Sequence, residues 1–216
     1  MGFFGIDTFD LVLRLPVVLF SLTIHEFMHA WTAWKCGDDT ALRAGRVSLS
    51  PLAHLDPIGT LCLLIAPIGW AKPVPVNRNN FPYETARRDD ILVSGAGIAA
   101  NFVMGILCGL ALRFLGPTLG GMDRLGTILA TMLFYGSFIN FGLAIFNLIP
   151  IPPLDGSHIL RNLLPLNAAI AYSRLMPYGT FLLLAFVLGN HYLAGTMGFS
   201  LLGYPITMLV RFFTGW

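Results

Sequence analysis

Ile24-His25-Glu26-Phe27-Met28-His29-Ala30 lies inside the apolar run LVLRLPVVLFSLTIHEFMHAWTAWK of residues 11–35, and the reading of this stretch decides the fold. As a helix the run exceeds the roughly 20 residues needed to cross hydrocarbon. Side chains four apart share a helix face, so His25 and His29 can converge on one metal, with Glu26 placed to reach a water held there. One histidine alone would read as a satisfied core or interface residue. Three ionisable groups in an apolar span cost several kcal/mol together unless paired or metal-bound, so the H-E-x-x-H set reads as a metal site within a membrane helix.

The rest of the chain agrees with a membrane setting. Of 216 residues 56% are hydrophobic and only 11% charged, and the mean hydropathy is +0.73. That composition excludes an ordinary soluble domain. The expected fold is all-α: a polytopic transmembrane helix bundle of about five to six spans, with a re-entrant segment and a small β element near the active site. Residues 1–216 form one integral membrane domain, with a core over 9–165 and C-terminal helices over 170–190 and 198–214. The net charge of +2, without a basic cluster interleaved with aromatics, gives no indication of nucleic acid. Cys36, Cys62 and Cys108 are odd in number and lack C-x-x-C spacing, so they read as free thiols. Residues 1–8 lack a positive n-region and the apolar run after them carries the metal motif, so no cleavable signal peptide is expected.

In chain order, the first span covers 9–35, with Arg14 and Pro16 near its start and Trp31, Trp34 and Lys35 near its end, as suits the interfaces. Arg43–Ser50 alternates like a short strand or hairpin. Residues 57–71 hold an apolar run broken by Gly59, Pro67 and Gly69, too short for a confident span and better read as re-entrant. A polar loop over 77–90 leads to a Gly- and Ala-rich span from Ile91 to about Leu115, whose small residues suit close packing at the bundle centre. A span from about Leu125 to Ile149 ends at Pro150-Ile-Pro-Pro-Leu-Asp-Gly-Ser157, since successive prolines supply no backbone donors. A short helix around His158–Leu164 and spans over about 170–190 and 198–214 follow.

A hydrolytic zinc site takes three protein ligands and leaves one position open. Asp155, after a helix-breaking proline pair, is the candidate for the third; its plain alternative is a helix N-cap. A re-entrant 57–71 brings Asp155 to the side where Lys35 emerges. Lys35, Arg43, Arg46, Lys72, Arg78, Arg87, Arg88, Arg161, Arg174 and Arg211 then share that side, opposite Arg14, Arg113 and Arg124. By the positive-inside rule that side is cytoplasmic, with the N-terminus outside and the C-terminus inside. Asn101 and Asn147 read either as donors to a substrate oxyanion or as interhelical hydrogen bonds. Asn140 reads as structural. His54 reads as a residue that supports a metal ligand from behind or lines the substrate groove, or as a cap for the segment beginning at Asp56. His158 and His191 read as interfacial.

His25-Glu-Phe-Met-His29 in a first span together with Asn147-Leu-Ile-Pro-Ile-Pro-Pro-Leu-Asp-Gly156 resembles the site-2 protease family of intramembrane zinc metalloproteases, in its compact prokaryotic form. Ala53–Thr60, Pro73–Asn77 and Ala96–Asn101 are similar too, so the resemblance runs over about 20–165. It implies one zinc ion per chain on His25, His29 and Asp155, and Glu26 as general base. The substrate should then be a transmembrane or membrane-adjacent helix, locally unwound because its scissile bond is protected by backbone hydrogen bonds, in a cell membrane whose cytoplasmic side the charge distribution assigns to the site. Ile98 stands where relatives often have proline in A-G-P-x-x-N. Two rivals remain at this point: a membrane metal-binding or transport protein, and a silent relative that binds helices without cutting them. Substrate identity and oligomeric state are not legible in the sequence.

Overall fold

The computed structural model describes residues 8–59, 62 and 71–215. The element order is α1 (Thr8–Lys35), α2 (Thr40–Arg43), α3 (Ala86–Gly120), α4 (Arg124–Leu148), α5 (Asp155–Leu163), α6 (Leu166–Ser173), α7 (Gly179–Met197) and α8 (Gly203–Thr214), with short 3-10 turns between. Among the described residues four stretches are long and apolar enough to cross a membrane: Phe9–Lys35, Ala86–Gly120, Arg124–Leu148 and Leu166–Met197. The last is α6 and α7 joined through a 3-10 turn at Met176–Tyr178. Outer faces carry exposed Phe181, Leu184, Leu188 and Tyr192, which suits contact with lipid tails.

The centre is an antiparallel hairpin of α3 and α4 with α1 packed across it. Backbones approach closely where glycine faces a ring: a Cβ on Gly105 would stand 2.8 Å from the Phe141 ring. Phe141 is fully buried and packs with Ile206 and Val210 of α8. Only the small residues of α3 permit that approach, as its composition suggests.

The polar end of the bundle is pinned by two carboxylates. Asp38, just past α1, accepts from the Thr40 amide (3.1 Å), the Thr40 hydroxyl (2.5 Å), the Asn77 amide (2.7 Å) and Asn80 Nδ2 (2.7 Å). Asp90 in α3 accepts from Arg78 Nε (2.7 Å) and from Arg161 Nη2 (2.9 Å) and Asn162 Nδ2 (2.6 Å) of α5. Arg87 adds donors to the carbonyls of Asn162 (2.7 Å) and Leu164 (2.5 Å). These contacts dock α5 on the first turns of α3.

Three expectations are corrected. No strand is present among the described residues; Arg43 closes α2, and Gly45 turns the chain with φ at +68°, which breaks the alternation. The cross-link there is made by a side chain: Arg46 donates to the carbonyls of Lys72 and Pro73. Among the described residues the sole β pairing is an isolated antiparallel bridge between Leu55 and Ala71. Second, 198–214 is not a span. Gly198 turns the chain with φ at +65°, and the 12 residues of α8 reach only about 18 Å against a hydrocarbon core of about 30 Å. Third, α8 ends on the far side from the metal motif: Arg113 Nη1 donates to the Phe212 carbonyl at 3.2 Å. Arg211 therefore joins Arg113 instead of Lys35. The re-entrant reading of 57–71 falls mostly on 60–61 and 63–70, outside the described residues.

Burial pushes the Asp38 carboxyl up, but the hydrogen bonds from Thr40, Asn80 and Asn77 outweigh it and hold it below its ordinary value. A carboxyl depressed by folding contributes stability at pH values above its unfolded value of about 3.9, lost as pH falls through the folded one. Asp38→Asn should lower stability at neutral pH by roughly 1–3 kcal/mol, because it leaves buried donors unpaired, and should flatten the acid limb. Denaturant titrations from pH 3 to 7 in detergent check both.

Candidate metal centre

α1 places His25 and His29 one turn apart on the face turned to α3, both nearly buried at 5% and 8% exposure. α3 can pass close because residue 97 is glycine: a Cβ there would stand 2.6 Å from His29 Nε2 and 2.7 Å from His25 Cε1. α5 supplies Asp155, which is not an N-cap. The cap position is Leu154, and Asp155 is the first helical residue, with its carboxylate aimed at α1.

The three ligand-type atoms form a near-equilateral triangle. His25 Nε2 and His29 Nε2 are 3.0 Å apart, and Asp155 Oδ2 is 3.2 Å from each. The opposite ring nitrogens are already committed: His29 Nδ1 donates to the Val93 carbonyl at 2.7 Å, and His25 Nδ1 to Asn101 Oδ1 at 2.5 Å. Carbonyl oxygens only accept, so each Nδ1 carries the proton and each Nε2 presents a lone pair. Asp155 Oδ2 is buried and has no hydrogen-bond donor.

Three acceptor atoms meeting in a buried place repel one another unless a cation lies among them. Two imidazole nitrogens and one carboxylate oxygen are a hydrolytic zinc donor set. Tetrahedral zinc with bonds of about 2.0–2.2 Å separates its ligand atoms by roughly 3.3–3.5 Å, within a few tenths of the triangle observed. The residues therefore fit zinc, and His25, His29 and Asp155 are the set that could hold it.

Glu26 lines the same cavity of about 440 Å³, and its Oε2 accepts from the Val74 amide at 3.2 Å. Asn147 is on the cavity wall, with Nδ2 turned back to the Leu143 carbonyl at 3.1 Å. Asn101 is not on that wall. It stands behind His25, and its Nδ2 is engaged by the Ser21 carbonyl (3.2 Å) and Asn140 Oδ1 (2.8 Å), so it faces an imidazole and not a substrate oxyanion. His54 is buried away from the cluster, its Nε2 on the Ser48 carbonyl at 2.7 Å, and Asp56 caps the amides of Ile58 and Gly59 itself. His158 lines the cavity and meets Arg78 Nη2 at 3.0 Å; His191 is exposed. Sequence reasoning missed Gly97, the Val93 carbonyl and Val74. Of these only Gly97 left a signal, a small residue four before Asn101 in a span opposite the histidines.

A bundle of membrane-length helices that buries a two-histidine, one-aspartate cluster with a glutamate beside it defines a membrane zinc metallopeptidase. The chain belongs to Peptidase family M50, the site-2 protease family, whose model matches residues 14–189. It is 39% identical over 165 residues to "Putative zinc metalloprotease YwhC" of Bacillus subtilis, a match covering 75% of this chain and 74% of that one. It is also 36% identical over 141 residues to "Putative zinc metalloprotease Rip2" of Mycolicibacterium smegmatis and 34% identical over 142 residues to that of Mycobacterium tuberculosis H37Rv, covering 64% of this chain and 52% of each relative. No solved structure matches the chain significantly.

Gly97→Ala should push both imidazoles out of register and weaken zinc binding by tenfold or more while the chain stays folded. Chelator competition on the purified protein measures it; unchanged affinity would contradict the close approach of α3.

Proposed function

We propose that this chain hydrolyses peptide bonds within or next to transmembrane helices, with zinc held by His25, His29 and Asp155 and Glu26 as the general base. The observation that carries the reading is the convergence of three acceptor atoms and Glu26 on one cavity, inside helices long enough to span a membrane. Zinc bound there supplies Lewis acidity to the scissile carbonyl and lowers the pKa of water.

The chain's own residues do the rest. Glu26, held at Oε2 by the Val74 amide, has Oε1 to accept a proton from the attacking water and pass it to the leaving amine. Asn147 has a second amide hydrogen to offer an oxygen of the substrate in the cavity. Gly97, Val93 and Asn101 fix the imidazoles before substrate arrives, so little reorganisation accompanies the reaction. A helical peptide bond is protected by its own backbone hydrogen bonds, so the substrate must be locally unwound to reach the cavity, and helix-breaking residues near the scissile bond should favour cutting.

The Leu55–Ala71 bridge brings Leu55 and Ala71 side by side. With Arg211 moved beside Arg113, the division of Lys and Arg expected from the sequence becomes nine on the metal side against four opposite. This bias favours a multi-pass protein of the cell membrane with its site towards the cytoplasm, the side from which water reaches the cavity.

Glu26→Gln should abolish cutting of a tagged model membrane helix in liposomes, by roughly 100-fold or more, and leave about one zinc per chain. Zinc content and product formation measured on the same samples check it. Retained cutting by Glu26→Gln would remove Glu26 from the mechanism. Zinc in the wild type without cutting of any membrane helix would favour a binding or transport role.

A further inference from the structure

Asn140 of α4 lies outside the cavity, yet it is fully engaged in the membrane interior. Its Nδ2 donates to the Gly136 carbonyl and to Ser21 Oγ, each at 2.8 Å, and its Oδ1 accepts from Asn101 Nδ2 at 2.8 Å. Ser21 Oγ in turn donates to the Val17 carbonyl at 2.8 Å. Asn101 Nδ2 also donates to the Ser21 carbonyl at 3.2 Å, and Asn101 Oδ1 faces His25 Nδ1 at 2.5 Å. Asn101 and Asn140 are both buried, at 0% and 2% exposure.

The direction of every bond in this chain is forced. An amide's oxygen and nitrogen are interchangeable in shape, so orientation must come from partners that cannot switch roles. Backbone carbonyls cannot. The Gly136 carbonyl requires the nitrogen of Asn140 on its side, which turns Asn140 Oδ1 to Asn101. That oxygen and the Ser21 carbonyl both require the nitrogen of Asn101, which turns Asn101 Oδ1 to His25. His25 must then donate from Nδ1.

We propose that Asn140 is a positioning residue which, acting only through Asn101, keeps the proton of His25 on Nδ1 and the lone pair of Nε2 turned to the metal site. It rests on the metal reading of that site. Without Asn140 the orientation of the Asn101 amide rests on the longer contact to the Ser21 carbonyl alone, at 3.2 Å, and the flipped amide that offers its nitrogen to His25 becomes populated. The ring would then carry its proton on Nε2, directed into the triangle where the cation must sit. Plain interhelical adhesion, the other role open to a buried asparagine, would not require Asn140 to act through Asn101.

The test compares Asn140→Leu, Asn101→Leu and the double variant in the full chain, reading zinc affinity by chelator competition and the His25 tautomer from nitrogen-15 spectra of metal-free protein. Asn101→Leu should weaken zinc by roughly 10–100-fold, Asn140→Leu by about tenfold, and the double variant no further than Asn101→Leu. The spectra should show the Nδ1–H tautomer in wild type and its loss in Asn140→Leu. Unchanged affinity and tautomer in Asn140→Leu, or losses that add in the double variant, would overturn the proposal. If Asn140→Leu does not fold, Ser21→Ala removes one of its acceptors and should weaken zinc several-fold in the wild-type background and not beside Asn101→Leu; equal losses in both would overturn it. Wild type without zinc would sink the metal reading, and the tautomer spectra would still decide the role of Asn140.

Discussion

Two imidazole nitrogens and a carboxylate oxygen meet at 3.0–3.2 Å with no donor between them, and this unfavourable contact is what the rest of the structure is arranged to maintain. Left alone, three buried acceptors would rotate apart or take up protons, since an unpaired polar group away from water costs several kcal/mol. They are prevented from the rear. The Val93 carbonyl and the Asn101 amide hold the far ring nitrogens, Gly97 lets α3 close on both rings, and the Asp90 contacts with Arg161 and Asn162 hold α5 where its first residue reaches α1. A divalent cation turns the repulsion into binding energy, so the arrangement is costly for a metal-free protein and favourable for a zinc protein.

The same geometry addresses how water-consuming chemistry fits inside a membrane protein. His25 and His29 lie in the second half of α1, and the cavity beside them is roofed by polar groups, among them Arg78, Asp90 and His158. These belong to the first turns of α3, the loop before it and α5, the least apolar parts of the bundle. The segment that begins at Ala71 completes the wall and delivers the Val74 amide to Glu26. The site is thus enclosed by helices below and by a hydrogen-bonded polar cap above.

Much of this was legible in the sequence because it depends on spacing. The i, i+4 histidines with an adjacent glutamate specify one helix face, and an aspartate after a proline pair specifies a helix start that can point a carboxylate sideways. What was not legible depends on which of two equivalent arrangements tertiary contacts select. Asn101 carries the same amide whether it serves a substrate or a ligand, and only the carbonyls of Ser21 and Gly136 decide. Arg43–Ser50 has a strand's alternation, but Gly45 in a left-handed turn and Arg46 bonded to the 72–73 carbonyls leave no ladder to join. Residues 198–214 are apolar enough to span, yet Gly198 turns the chain and leaves a helix too short, ending beside Arg113. Hydropathy does not register either event.

The central claim is a cation held by two imidazoles and one carboxylate. X-ray absorption at the zinc edge of the purified full-length protein tests it most directly. Two imidazole nitrogens at about 2.0–2.1 Å with oxygen in the remaining positions, and loss of this signature in Asp155→Ala, is the expected result. Sulfur at about 2.3 Å, or folded protein that takes up no zinc, would contradict it.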